Sequence, residues 1–157
     1  MATDLTSLLE CGVILPSFEA TSRKQAIHAL AEALADATGL NARQIEDAVM
    51  ERERLGSTGV GEGVAIPHAR VDGIDKPVGG YMRLAHGVDF EAIDERPCDL
   101  IFMLLAPKDS GADHLRALAQ VSRVFRQSAI RDALREARTE EAVRNIVCKE
   151  QVEPTAS

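Results

Sequence analysis

Apolar residues recur along the chain with two different periods, and the change from one to the other predicts helices interleaved with strands. Residues 12–15, GVIL, ahead of Pro16, read as a short strand or extended arm. Ser22-Arg-Lys-Gln25 is a capping box, and Ile27, Leu30, Ala31 and Leu34 follow it at helical spacing until Gly39 stops the helix. Asn41 to Gln44 repeats the capping pattern, and Ile45, Ala48, Val49 and Leu55 mark a second amphipathic helix. Strands are expected at Val64–Pro67, Val78–Ala85 and Asp99–Ala106, joined by loops at 72–76 and 86–97. The last strand is continuously apolar, as a central strand covered on both faces should be. Ala112–Phe125 reads as a helix with Leu115, Leu118, Val121, Ser122 and Phe125 inward, followed by short helices at about 128–136 and from Thr139 to about 148. The pattern fits one α/β sandwich over residues 1–150, with the sheet order open and 151–157 a disordered tail.

Composition narrows the class of function. A chain of 157 residues with 3% aromatics and no tryptophan is long enough for one core, and that core must be aliphatic. A formal charge of −7 argues against nucleic acid or an anionic membrane surface as partner and is compatible with a basic protein partner. Cys11, Cys98 and Cys148 are far apart and contain no CxxC, which suits a reducing compartment and leaves them as packing residues. The N-terminus lacks the positive region of a signal peptide, and the longest apolar run, Leu100–Ala106, is too short to span a bilayer. A cytoplasmic protein is expected.

The candidate chemistry lies in Arg52–Arg70, RERLGSTGVGEGVAIPHAR. Gly56, Gly59, Gly61 and Gly63 allow loop N–H groups to face a ligand that a Cβ would block. Pro67 pushes Ile66 into an extended conformation and cannot donate to a ladder, so the strand should end here with His68 at its carboxyl end, where α/β sheets bind ligands. Arg52 lies seven residues after Ile45 and four after Ala48, on the apolar stripe, whereas Arg54 falls outside it. An inward arginine needs an anion; a salt bridge or a snorkelling stem answers that as well as a phosphate pocket does.

Of the four histidines, His28 and His86 read as surface residues. His114 is four residues before Leu118 and seven before Val121, on the face turned to the sheet and near the same sheet edge as His68. Zinc is disfavoured, because neither HExxH nor HxxxH occurs and no cysteine or carboxylate pair stands at ligand spacing; no cofactor is expected. GSTGVGEG carries glutamate where a P-loop needs lysine and Val64 where a third dinucleotide-binding glycine would fall. Imidazole remains a good neutral nucleophile at pH 7, and the N–P bond it forms is reactive enough to pass a phosphoryl group onward. Loop N–H groups, the Ser57 and Thr58 hydroxyls, Arg52 and His114 could serve the equatorial oxygens. Glu62 could hold Arg52 or a loop N–H in place, or be a solvated loop carboxylate.

RERLGSTGVGEGVAIPHARV, with DLIFMLLAP and DHLRALAQVSRVF, resembles the IIA domains of the fructose/mannitol type in the bacterial phosphotransferase system, most closely the stand-alone nitrogen-regulatory members. The resemblance runs from about Leu5 to Val147. It implies a three-layer α/β/α sandwich around a mixed sheet. It also implies that His68 takes a phosphoryl group, at the tele nitrogen, from an HPr-like phosphocarrier, the residues alone leaving that nitrogen open. By the same resemblance His114 hydrogen-bonds the phosphate and Arg52 and Glu62 complete the catalytic set; the glycine loop read from the residues themselves, with Ser57, Thr58 and Gly61, is the expected phosphate-binding loop. Regulatory targets such as potassium-transport or sensor proteins are implied as partners, with neither nucleic acid nor membrane insertion. A sugar-specific IIA component that passes phosphate to a IIB domain, or an interaction module without phosphorylation, are the alternatives.

Overall fold

The computed structural model describes residues 5–148, so the expected tail lies outside the described residues. In chain order the elements are α1 (Thr6–Leu9), β1 (Val13–Phe18), α2 (Arg23–Thr38), α3 (Ala42–Leu55), β2 (Gly59–Gly61), β3 (Val64–Ala65), β4 (His68–Val71), β5 (Val78–Val88), β6 (Cys98–Pro107), α4 (Ala112–Phe125), α5 (Ser128–Glu136) and α6 (Glu140–Val147). The helix boundaries follow from their caps. Ser22 Oγ accepts from the Gln25 amide at 3.1 Å, and Asn41 Oδ1 from that of Gln44 at 3.0 Å. Gly39 closes α2 in the left-handed conformation, φ 81°, and donates to the Ala35 carbonyl.

The sheet is mixed, in the order β1-β5-β6-β3-β2, with β4 pairing β6 beyond β3. β5 and β6 are antiparallel, while β1 runs parallel to β5 and both β3 and β4 run parallel to β6. Alternation along β6 sends Ile101, Met103 and Leu105 into one core with the stripes of α2 and α3. Leu100, Phe102 and Leu104 enter a second core with α1, α4, α5 and α6. Three layers, α/β/α, result. Residues 100–106 of β6 are all fully buried, as the continuous apolar run predicted. β5 crosses Phe102 at Gly79, where a Cβ would sit 2.3 Å from the ring; only glycine lets the aromatic lie flat on the neighbouring strand.

Four expectations change. The strand after the glycine loop does not end at His68. Ile66 and Pro67 interrupt it, the Pro67 carbonyl accepts from the Leu104 amide at 2.9 Å, and the chain resumes beside β6 as β4, with His68 its first residue. Proline therefore splits the strand, since it can accept but not donate across the ladder. β5 continues to Val88 through a register shift, which puts His86, exposed, in a strand and not a loop. Leu55 and Leu115, expected inward, are 80% and 66% exposed. The stripes that face the sheet run through Ile45, Val49 and Glu53 on α3 and through His114, Ala117, Val121, Val124 and Phe125 on α4. Of the cysteines only Cys98 is buried; Cys11 is exposed and Cys148 intermediate, so packing accounts for the first alone. Among the described residues no helix is long and apolar enough to cross a membrane.

Candidate functional site

An open cleft lies where α3, β4 and the start of α4 meet. Arg52, His68, Arg70, Lys108, His114, Leu115 and Leu55 are among its walls. His68 opens β4 opposite Leu104, close to where β6 ends and the chain turns toward α4. His114 lies in the first turn of α4, whose amides carry the positive end of the helix dipole. The two rings meet edge to face, centroids 5.6 Å apart.

Each ring is held by a bond that fixes its tautomer. His68 curls back over Pro67, and its Nδ1 is 2.8 Å from the Ile66 carbonyl oxygen. A carbonyl only accepts, so Nδ1 carries the proton and Nε2 keeps its lone pair. His114 Nδ1 is 3.1 Å from Arg70 Nε, and a guanidinium only donates, so here Nδ1 bears the lone pair and Nε2 the proton. The cleft therefore offers a bare ring nitrogen on one histidine and an N–H on the other.

The charges favour the neutral rings. Burial lowers the pKa of His68 and the Arg52 guanidinium adds to the fall; the Ile66 carbonyl and the Glu53 carboxylate oppose it without reversing it. His114 is lowered by burial, then by His68 and Arg70. Arg52 donates to the Gly56 carbonyl at 3.0 Å, which pins the guanidinium across the end of α3. It is half-buried, at the edge of the α3 stripe and not within it.

The stripe position belongs to Glu53, 4% exposed. Its carboxylate accepts from the Thr58 hydroxyl, and Arg23 Nη1 lies 3.3 Å away. Arg70 and Lys108 line the cleft and Glu53 is buried outside its lining; sequence reading assigned none of the three a role in the site. Ile45, Val49 and Glu53 keep strict four-residue spacing, and Arg70, two after His68 on a strand, shares its face. Both signals were present.

The rest of the expected set is elsewhere. Gly61, Glu62 and Gly63 have φ of 97°, 60° and 80°, a tight corner between β2 and β3 that turns Glu62 outward. Its carboxylate meets Arg96 at 3.3 Å and Arg131 at 3.8 Å, and its amide donates to Asp94. It does not hold Arg52 or a loop N–H. The Ser57 hydroxyl donates to the Phe90 carbonyl and accepts from the Gly59 amide, and Thr58 is committed to Glu53. Both hydroxyls thus stitch the glycine loop to its neighbours, and none of Ser57, Thr58, Gly61 and Glu62 lines the cleft with His68. His28, as expected, is a surface residue, paired with Glu46 at 2.7 Å and Glu32 at 3.3 Å. Among the described residues no group of three or more His, Cys, Asp or Glu is placed to hold a metal ion.

The chain is thus a three-layer α/β protein with two histidines and three cations at one open edge of its sheet, a set whose charge suits an anion. The comparisons specify the class further: residues 7–150 match the family described as "Phosphoenolpyruvate-dependent sugar phosphotransferase system, EIIA 2", and the chain belongs to that family. It is 42% identical over 143 residues to a nitrogen regulatory protein of Bradyrhizobium diazoefficiens, covering 91% of this chain and 94% of the relative. A fructose-specific EIIA component of Haloferax volcanii is 34% identical over 94% of this chain and 96% of its own length. The crystal structure of nitrogen regulatory protein IIA-Ntr from Neisseria meningitidis superposes with a TM-score of 0.83 at 33% identity, covering 91% of this chain and 98% of that one.

Proposed function

We propose that this chain is the regulatory phosphocarrier of a nitrogen-type phosphotransferase system, with His68 the phosphoryl acceptor. The observation that carries the reading is the Nδ1 bond from His68 to the Ile66 carbonyl, which leaves Nε2 bare in a cleft with Arg52, Arg70 and Lys108. The donor is a phosphohistidine on an HPr-like carrier protein. Nε2 attacks phosphorus in line; the new N–P bond forms as the donor's N–P bond breaks, and that electron pair returns to the donor ring, which, protonated on its other nitrogen, leaves as neutral imidazole while the His68 ring, keeping its Nδ1 proton, takes up the positive charge. Positive charge grows on the His68 ring, and the Ile66 carbonyl and the Glu53 carboxylate both favour it. His114 Nε2–H and the Arg52 guanidinium donate to the phosphoryl oxygens.

A phosphoenolpyruvate-fed chain of carriers operates in the cytoplasm, and the protein belongs there with it. The phosphorylation state then selects regulatory partners, among which potassium-transport and sensor proteins are the first to try. Incubation with phosphoenolpyruvate, enzyme I and the HPr-like donor, followed by intact mass, should add one acid-labile phosphoryl group. His68→Ala should add none, and His114→Ala and Arg52→Ala should slow labelling by roughly 10²-fold each. Undiminished labelling of His68→Ala would overturn the assignment. Efficient onward transfer to a IIB domain would move the protein to the sugar-specific branch that the Haloferax relative represents.

A further inference from the structure

We propose that Arg70 is a positioning residue for phosphoryl transfer: its Nε, 3.1 Å from His114 Nδ1, holds that ring as the Nε2–H tautomer and so aims a donor, not a lone pair, at the transferring group. This rests on the phosphocarrier reading above. A neutral imidazole free in water populates both tautomers. With Nδ1 protonated, His114 would turn an acceptor toward an anion, and the interaction would change sign. Something must therefore choose, and His114's own helix does not. Gly111 supplies no side-chain cap to α4, and nearby Asp113 is engaged with Arg116 at 2.6 Å.

Arg70 reaches the ring from β4 instead. Strand alternation puts it on the same face as His68, two residues earlier, so one strand supplies the acceptor and the group that orients its helper. Arginine suits the task because its guanidinium is always protonated and has no lone pair to offer; it admits only one tautomer of its partner. The two histidines are fixed in opposite senses by this means. A carbonyl takes the Nδ1 proton of His68, while a guanidinium refuses one on Nδ1 of His114.

Two substitutions separate the hydrogen bond from the charge. Arg70→Gln places an uncharged N–H donor at the same distance along the side chain, whereas Arg70→Met keeps the length and removes the donor. Arg70 is exposed, and neither change disturbs the core. Long-range proton–nitrogen spectra of the unphosphorylated protein distinguish the protonated ring nitrogen of His114 from the bare one. The wild type should show Nε2–H and Arg70→Met a mixture, with Arg70→Gln, whose amide can turn either a donor or an acceptor to the ring, between the two. Transfer to His68 in Arg70→Met should fall roughly tenfold, about one hydrogen bond's contribution, with part of the rate recovered in Arg70→Gln. The proposal fails if His114 keeps a single Nε2–H tautomer in Arg70→Met, or if it loses that tautomer while transfer is undiminished. A wild-type protein that accepts no phosphoryl group overturns the phosphocarrier reading instead; the spectra, which need no donor, still decide whether Arg70 orders His114.

Discussion

At the scale of single residues, the acceptor is defined by which of its nitrogens is free and by how readily it stays neutral. Burial and Arg52 hold the His68 pKa below its ordinary value of 6.5. Protonation would fill the Nε2 lone pair and abolish nucleophilicity, so the sign of the shift matters. With the folded-state pKa below 6.5, more than half of the molecules still carry the lone pair at pH 6.5. The rate of phosphoryl uptake should keep more than half of its high-pH plateau at pH 6.5 and reach its half-value only below that pH. Single-turnover labelling across that range, with a donor whose own titration is measured separately, checks this. An inflection above 6.5 assigned to His68 would mean that Glu53 and the Ile66 carbonyl outweigh desolvation.

Between elements, the same loop that looked like a phosphate cradle is a strap. Thr58 and Arg23 converge on Glu53, joining the start of α2, the end of α3 and the approach to β2. A carboxylate buried this deeply is tolerated only with its partners in place. Arg23→Ala should lower unfolding stability by about 2 kcal/mol, less than a fully buried pair because the arginine side chain is 24% exposed. Urea melts should show a lower midpoint at unchanged slope. Gly79→Ala drives a methyl into Phe102 and should lose about 2–3 kcal/mol in the same assay. The helices were legible because their caps and periods are local: Ser22, Asn41 and Gly39 act as the sequence suggests. β2 and the split between β3 and β4 were not, because pairing with β6 decides them and neither two residues nor three can show a period. His114 was singled out by its spacing from Leu118 and Val121, and His68 by the glycine loop and the proline that precede it. That Glu62, Ser57 and Thr58 lie outside the cleft lining was not legible, because a glycine-rich stretch fixes flexibility and not direction; the left-handed corner at 61–63 sends Glu62 to Arg96 and Arg131.

For the molecule as a whole, charge is distributed against its own sum. The chain carries −7, yet the cleft gathers Arg52, Arg70 and Lys108 with Glu51 as the acidic residue on its wall. In the proposed phosphocarrier role, the donor's phosphate would be repelled by the net charge and drawn by the cleft, so the local field would select the approach that brings it to His68. Lys108 is the test of this, because it is exposed and engaged only in a surface pair with Asp72 at 3.5 Å among the described residues. Steering and contact predict different salt dependence. If Lys108 steers, Lys108→Ala should slow second-order transfer about two- to fivefold at low ionic strength, and the difference should close by about 0.5 M salt, where the screening length falls to about 4 Å. If Lys108 instead touches the transferring group, the deficit should persist at every salt concentration and appear in the first-order step of the preformed complex. Stopped-flow mixing over a salt series separates the two. Once His68 is phosphorylated the local field reverses: added negative charge fills the cation cluster and leaves the surrounding acidic surface to dominate. Partners that bind the unphosphorylated cleft through their own acidic groups should then be released, with a salt-sensitive loss of affinity.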